Sequence, residues 1–267
     1  HAPLRCLWMI LFGLCEDRGA LPREHGGGKG DLQIKAARIG VKIQHLARKF
    51  VPQNDGIIVG RPHKNARNIA PADAAGLDLQ EDFACLAKKT AETHGKDYKY
   101  TGSYVDAANL IREFVPAWIP EMTRFFTLVI FNYIFANGDA HLKNFSILET
   151  DAGDHILSPA YDLMNTSLHI SDSDFALEDG LIPKELYSDV YDKKGHPCQD
   201  DFRTFGKLIG VHPKKVDQVV DIFLNSQEQV EDLIARSFLD ERMQRMYLRS
   251  YNERMQRFRR SDGDDKE

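Results

Sequence analysis

One short polar segment of the sequence, together with an aspartate that follows it, holds the residue types that could carry out chemistry. Residues 137–144 read Asn-Gly-Asp-Ala-His-Leu-Lys-Asn, and a further aspartate, Asp162, follows two short apolar stretches. Phosphoryl transfer needs one carboxylate to orient the attacking hydroxyl, and an Asn and a second Asp to hold Mg²⁺ against the nucleotide phosphates. Asp139, Asn144 and Asp162 provide these groups, and Lys143 could neutralise the transferred phosphoryl group. The polar segment and Asp162 together therefore predict a phosphotransfer site.

The spacing within the segment supports this interpretation over simpler ones. Asp139 and Asn144 are five positions apart, as are the catalytic Asp and the metal-binding Asn of kinase catalytic loops. An isolated Asn-Gly-Asp usually forms only a turn, so the hairpin and Asp162 that follow are needed for the prediction. A zinc site is the weaker alternative, because His141 and His155 are not four positions apart and no HExxH or CxxC occurs.

Hydrophobic patterning predicts the helices that lead to this segment. Acids early and lysines late in residues 80–89 indicate a short helix. Residues 101–103 provide an N-cap for a helix over 104–114, which Pro116 ends. Residues 121–136 are apolar nearly all round, which is typical of a helix buried in a core. The polar segment therefore begins where a buried helix ends.

A hairpin and further helices are predicted after the polar segment. Residues 145–148 and 155–158 are short and apolar and flank an Asp/Gly turn, which favours a β-hairpin. Helical spacing then dominates residues 201–209, 213–224 and a long stretch over 227–259. The order of elements predicts an α+β fold with a mainly helical C-terminal part.

Composition excludes several classes of protein. Of the 267 residues 42% are hydrophobic and 28% are charged, which is ordinary for a globular protein. The net charge of −5 gives no general case for nucleic-acid binding. The four cysteines lie far apart, which indicates neither a zinc ribbon nor a disulfide framework. No stretch reaches the roughly 20 apolar residues of a membrane span, and we read residues 6–15 as a buried strand or helix.

The sequence resembles a known family over about residues 78–258. Residues 137–146 and 159–163 look like the C-terminal domain of the HipA family, which are serine/threonine kinases that act as toxins in bacterial toxin–antitoxin systems. Further similarities lie in residues 80–84, 99–104 and 237–239 and at Tyr247. The resemblance implies a protein-kinase-like, two-lobed α+β fold with a mainly helical C-lobe.

The resemblance also implies roles for individual residues. Asp139 would be the catalytic base, and Asn144 and Asp162 would bind Mg²⁺. The residues that the resemblance places at the ATP site are His141, Lys143, Asn144, Tyr161 and Asp162. Ser146 and Asn165 receive no role and are taken as structural.

The resemblance further implies a biological setting. The expected activity is ATP-dependent phosphorylation of a cytosolic protein such as an aminoacyl-tRNA synthetase, in the cytoplasm. The implied partner is a HipB-like antitoxin with a helix-turn-helix, through which any DNA contact would be made; no membrane contact is expected. Two alternatives stay open: a catalytically impaired pseudokinase that binds an antitoxin, and a small-molecule kinase of the aminoglycoside or choline type.

The N-terminal part departs from the family pattern. Residues 1–75 contain 12 Lys/Arg and 6 Asp/Glu, against 23 and 34 in the rest of the chain, and no Gly-x-Gln-x-Lys phosphate loop occurs there. Gly26–Gly30 and Lys35 are weak candidates for the phosphate loop and the ATP-binding lysine. We expect residues 1–77 to be a divergent or degenerate N-lobe, 78–258 the kinase domain, and 259–267 a polar tail.

Overall fold

A computed structural model of the protein describes residues 80–150, 153–171 and 173–261. The expectations for residues 6–15, for Gly26–Gly30 and for Lys35 lie outside the described residues. Within them, the strands and α-helices follow in chain order: β1 Gln80–Asp82, α1 Phe83–Leu86, α2 Ala91–His94, α3 Tyr104–Phe114, α4 Trp118–Ile134, β2 Ser146–Glu149, β3 His155–Leu157, α5 Asp189–Lys194, α6 Gln199–Leu208, α7 Pro213–Leu224, α8 Gln227–Ala235 and α9 Glu241–Phe258. Short 3-10 turns lie at Tyr98–Tyr100, Leu142–Asn144, Thr166–Leu168 and Lys184–Leu186.

Helix α4 lies at the centre of the core. It packs against α3, α7, α9 and β3, and its residues Phe125, Phe126 and Ile130 are completely buried. A helix that is surrounded by other elements must be apolar on nearly every side, which explains its composition. Glu121 in its first turn accepts a hydrogen bond from the backbone N–H of Leu157 at 3.2 Å, which links α4 to β3.

The small sheet packs beside the first turn of α4, where Leu157 of β3 bonds Glu121. Its order is β1-β2-β3 and both pairings are antiparallel, with Asp82 opposite Ser146 and Ile147 opposite Leu157. The predicted β-hairpin is thus confirmed as β2 and β3. The predicted helix over residues 80–89 is wrong at its start, because residues 80–82 pair with β2 and Asp82 then caps α1 through the backbone N–H of Cys85.

Helices α3 and α7 confirm the predicted bounds, whereas both ends of α4 are shifted. Helix α3 begins after Ser103, whose hydroxyl accepts from the backbone N–H of Asp106 as the N-cap. Helix α4 begins at Trp118, three residues earlier than predicted, because Pro120 is tolerated in a first helical turn. It ends at Ile134, and α7 has the predicted bounds.

The long stretch of helical spacing predicted over residues 227–259 forms two helices. Helix α8 ends at Ala235 and α9 begins at Glu241, where Asp240 accepts a hydrogen bond from the backbone N–H of Met243 as a new N-cap. The periodicity continues across the break, so spacing alone did not reveal it. None of the helices in the described part of the chain is long and apolar enough to cross a membrane.

Candidate active site

The polar loop is fixed to the rest of the fold by backbone hydrogen bonds at its start. Ala136, just after α4, has a left-handed backbone with φ 54°, and it lets the chain turn away from the helix. The Thr166 hydroxyl accepts from the Gly138 N–H at 2.9 Å, while the Thr166 N–H donates to the Ala136 carbonyl at 3.1 Å. Thr166, which is far along the chain, therefore holds the start of the loop through both Ala136 and Gly138.

Asp139 presents a partly exposed carboxylate on this loop. The hydroxyl of Tyr100 donates to its Oδ1 at 2.8 Å, and Nε2 of His141 lies 4.0 Å from its Oδ2. Its side chain is 44% exposed, so a substrate hydroxyl can reach it. A general base must lie within hydrogen-bond reach of the proton it accepts, and this exposure allows it.

His141 is buried beside Asp139 and is paired with a lysine. Nζ of Lys99 lies 2.8 Å from His141 Nε2; because an ammonium can only donate, the ring proton is assigned to Nδ1. Burial, and after it the charge of Lys99, lower the pKa of His141 below its ordinary value of 6.5. The imidazole is therefore neutral at neutral pH, and the positive charge next to it is that of Lys99.

The two predicted metal ligands, Asn144 and Asp162, meet in the structure. Asn144 ends the 3-10 turn Leu142–Asn144, where its Oδ1 accepts from the His141 N–H at 3.0 Å. Its Nδ2 donates to Asp162 Oδ2 at 2.6 Å. The Asp162 carbonyl accepts from Nδ2 of Asn137 at 3.1 Å, and Asp162 has φ 54°. Residues that the sequence separates are thus brought into direct contact.

The chemistry of these side chains fits a hard cation. Carboxylate and amide oxygens are the ligands that Mg²⁺ prefers, and it usually takes only one or two from protein and the others from phosphates and water. Among the residues that the structure describes, no group of three or more His, Cys, Asp and Glu could hold a metal by itself. Asn144 and Asp162 each have an oxygen of this kind, and their role as Mg²⁺ ligands stays a prediction.

Tyr161 supports the loop through contacts of its hydroxyl group. Its hydroxyl donates to the Lys143 carbonyl at 2.8 Å and lies 2.7 Å from the Ser146 hydroxyl. Burial raises the pKa of Tyr161, so the phenol stays protonated. Ser146 is fully buried and also accepts from Gln80 Nε2 at 2.7 Å. Tyr161 thus uses its hydroxyl within the fold, and a contact of its ring with nucleotide stays a prediction.

Lys143 faces Asp82 in this structure. The two charged groups are 2.5 Å apart, with the Lys143 side chain 36% exposed. Burial lowers the pKa of Lys143, but the hydrogen bond and the charge of Asp82 outweigh burial and raise it overall. A contact of Lys143 with nucleotide phosphates would require this ion pair to open.

Sequence reasoning missed several residues that position the site. Lys99 and Tyr100 reach the loop from the 3-10 turn Tyr98–Tyr100, although the segment that contains them was recognised as a signature. Asn137 was read as part of a turn, whereas it bonds both Asn132 and the Asp162 backbone. The pattern indicated that these residues mattered, but only the fold shows what they contact.

A polar cavity of about 780 Å³ lies next to the loop but does not contain its functional groups. It is lined by the segment after Asp162, by the end of α5 and by α9. On its wall Asp174 pairs with Arg254, with Arg257 at 3.1 Å and with His196 at 2.7 Å. This network links α9 to residues 173–197, and the loop rather than the cavity defines the candidate active site.

The chain has a protein-kinase-like α+β fold with a helical lobe. In it a buried helix leads into a polar loop, and a hairpin then leads to Asp162. The family described as HipA-like C-terminal domain matches residues 77–232. Because this match covers more than half of the 267 residues, the chain belongs to that family, as the sequence motifs predicted.

Two curated relatives are named as kinases. A Haemophilus influenzae protein named "Putative kinase" is 26% identical over 168 residues, which is 60% of this chain and 49% of the relative. "Putative kinase Y4dM" of Sinorhizobium fredii is 39% identical over 56 residues, 21% of this chain and 14% of the relative. The chain thus spans about half, or less, of the length of these relatives.

Parts of the chain are also similar to two solved structures. The Shewanella oneidensis toxin–antitoxin system HipA, determined with HipB and operator DNA, has 19% identity and a TM-score of 0.45, covering 61% of this chain and 38% of that one. The Helicobacter pylori proinflammatory kinase CtkA has 15% identity and a TM-score of 0.40, covering 68% of this chain and 70% of that one.

Proposed function

We propose that the protein is an ATP-dependent kinase whose phosphotransfer site is built from Asp139, Asn144 and Asp162. The observation that carries the proposal is the contact between Asn144 Nδ2 and Asp162 Oδ2 at 2.6 Å, in a loop that also presents Asp139. The side-chain oxygens of Asn144 and Asp162 are of the kind that Mg²⁺ prefers, which supports a metal-binding role for this pair. Kinase catalysis is mainly positioning and electrostatic stabilisation, and these groups can provide both.

Each residue has a defined task in this proposal. Asp139 would orient the acceptor hydroxyl and accept its proton, and Asn144 and Asp162 would hold Mg²⁺ at the nucleotide site. Bound Mg²⁺ would neutralise the charge that develops on the phosphates during transfer. His141, Lys143 and Tyr161 complete the nucleotide site, with Lys143 exchanging Asp82 for a phosphate oxygen.

Family membership supports a more specific proposal. We infer a serine/threonine protein kinase of a bacterial type II toxin–antitoxin system, acting in the cytoplasm on a protein such as an aminoacyl-tRNA synthetase. A HipB-like helix-turn-helix antitoxin would be its partner, and DNA would be contacted through that antitoxin. The net charge of −5 agrees with an indirect contact with DNA.

Nucleotide binding and phosphotransfer test the proposal separately. ATP with Mg²⁺ should raise the melting temperature of the full chain, because a ligand of the folded state stabilises it. Incubation with γ-labelled ATP, alone and with a synthetase, should yield phosphoserine or phosphothreonine. Binding without transfer would favour the pseudokinase, transfer only to an aminoglycoside or choline would favour the small-molecule kinase, and no binding would contradict the proposal.

A further inference from the structure

The 3-10 turn Tyr98–Tyr100 sends two neighbouring side chains into the candidate active site. The Tyr100 hydroxyl donates to Asp139 Oδ1 at 2.8 Å, and Lys99 Nζ donates to His141 Nε2 at 2.8 Å. His141 Nε2 in turn lies 4.0 Å from the other carboxylate oxygen, Oδ2. The turn thus bonds one oxygen of the proposed base directly, and it contacts the histidine that lies near the other oxygen.

The four side chains also contact one another. Lys99 Nζ lies 4.8 Å from the centre of the Tyr100 ring, an arrangement in which a cation is attracted to the ring face. The Tyr100 and His141 rings meet edge to face with their centres 5.2 Å apart. Displacing any one of these side chains would therefore disturb the others.

The turn itself is held firmly. The Tyr100 carbonyl accepts from the Glu178 N–H at 2.9 Å, and the Thr101 carbonyl accepts from Lys89 Nζ at 2.8 Å. The Gly102 carbonyl accepts from the Asp179 N–H at 3.1 Å. With its backbone fixed in this way, the turn has the rigidity that a positioning element needs.

We propose that Tyr100 and Lys99 are positioning residues for the phosphotransfer reaction: Tyr100 fixes the orientation of the Asp139 carboxylate, and Lys99 fixes His141 against it. This inference rests on the proposed function, since it gives Asp139 a reaction to serve. Lys99 places its ammonium against His141, the neighbour of the base, while Lys143 is paired with Asp82.

The structure offers a matched control in Tyr104. Its hydroxyl also bonds the loop, but to the Ala140 carbonyl at 2.9 Å rather than to Asp139. Tyr100→Phe and Tyr104→Phe therefore each remove one hydroxyl bond to the same loop, and only Tyr100→Phe frees the carboxylate. For Lys99, Lys99→Met removes the donor and Lys99→Arg retains one.

The experiment measures kcat and the KM for ATP of the full chain with Mg²⁺, using autophosphorylation or phosphate release. Tyr100→Phe should lower kcat at least tenfold with the KM for ATP changed less than twofold, because a hydrogen bond to a charged group is lost where the base must be aligned. Lys99→Met should also lower kcat, and Lys99→Arg should recover most of it. An unchanged kcat in Tyr100→Phe, or a loss no larger than in Tyr104→Phe, would overturn the inference.

Crystal structures of the ligand-free wild type and Tyr100→Phe provide a readout that does not need activity. We expect the Asp139 side chain to change rotamer in Tyr100→Phe and to keep it in Tyr104→Phe. If the wild type transfers no phosphate, the proposed function fails, and these structures alone decide the positioning role. An Asp139 side chain that stays in place in Tyr100→Phe would then contradict it.

Discussion

The backbone of Asp162 allows a test that separates its chemistry from its conformation. With φ 54°, Asp162 lies in the left-handed region, where a Cβ atom costs about 1–2 kcal/mol relative to glycine. Asp162→Ala and Asp162→Gly both remove the carboxylate and its bond to Asn144. Only the backbone cost differs between the two variants.

The expected difference in unfolding free energy follows from two opposing effects. Alanine retains the cost of about 1–2 kcal/mol, whereas glycine loses about 0.4–1 kcal/mol through the greater freedom of its unfolded chain. We therefore expect Asp162→Gly to be more stable than Asp162→Ala by about 0.5–1 kcal/mol. The order should reverse at Asp192, an exposed residue of helix α5, where glycine is about 1 kcal/mol less stable than alanine.

Urea denaturation followed by circular dichroism measures these differences, and calorimetry with ATP measures the function. Both Asp162 variants should bind ATP more weakly than the wild type in Mg²⁺, by about tenfold or more for a lost charged contact, and equally to the wild type in EDTA. If Asp162→Ala were the more stable variant, the backbone argument would be wrong. Equal losses of affinity in Mg²⁺ and in EDTA would mean that Asp162 is not a metal ligand.

Three further variants test neighbouring parts of the site. Asp139→Asn should lower kcat by about 10²-fold or more while ATP affinity in calorimetry stays within twofold, since general bases contribute on that scale; unchanged turnover would exclude Asp139 as the base. Lys143→Met should weaken ATP binding about tenfold, whereas Asp82→Asn, which frees the ammonium and keeps a helix cap, should not; equal losses would show that the ion pair itself matters. Asn137→Ala should lower the unfolding free energy by about 2–3 kcal/mol in urea, because it leaves the Asn132 oxygen buried without a donor; a change below about 0.5 kcal/mol would show that the bond is dispensable.

Patterns within a short stretch of sequence predicted helices that are determined by the same short stretch. Helix α3 was placed by its N-cap region at residues 101–103 and α7 by its helical spacing, because both signals lie within or next to the helix itself. The same kind of pattern misread residues 80–82, whose strand exists only because β2 pairs with it. Pairing across more than sixty positions leaves no local trace in the sequence.

The candidate site shows the same division. Asp139 and Asn144 lie on one loop, so their common location could be predicted from spacing and family resemblance. The positions of Lys99 and Tyr100 could not, because nothing in the order of residues indicates that the turn Tyr98–Tyr100 packs against that loop. The break between α8 and α9 was missed for a different reason: hydrophobic periodicity reports which face is buried and not whether the helix is continuous.

The backbone conformations around the loop show what holds the proposed metal ligands together. Of the described non-glycine residues, Lys88, Ala136 and Asp162 have positive φ, and two of these three border the active-site loop. Such conformations persist only where surrounding contacts fix them, and Asn137 does so with a side chain that is 5% exposed. Because Asp162 itself is exposed, its bond to Asn144 contributes little to stability. The buried amide of Asn137, which the proposed mechanism never brings into contact with substrate, therefore helps to hold the Asp162 backbone beside Asn144.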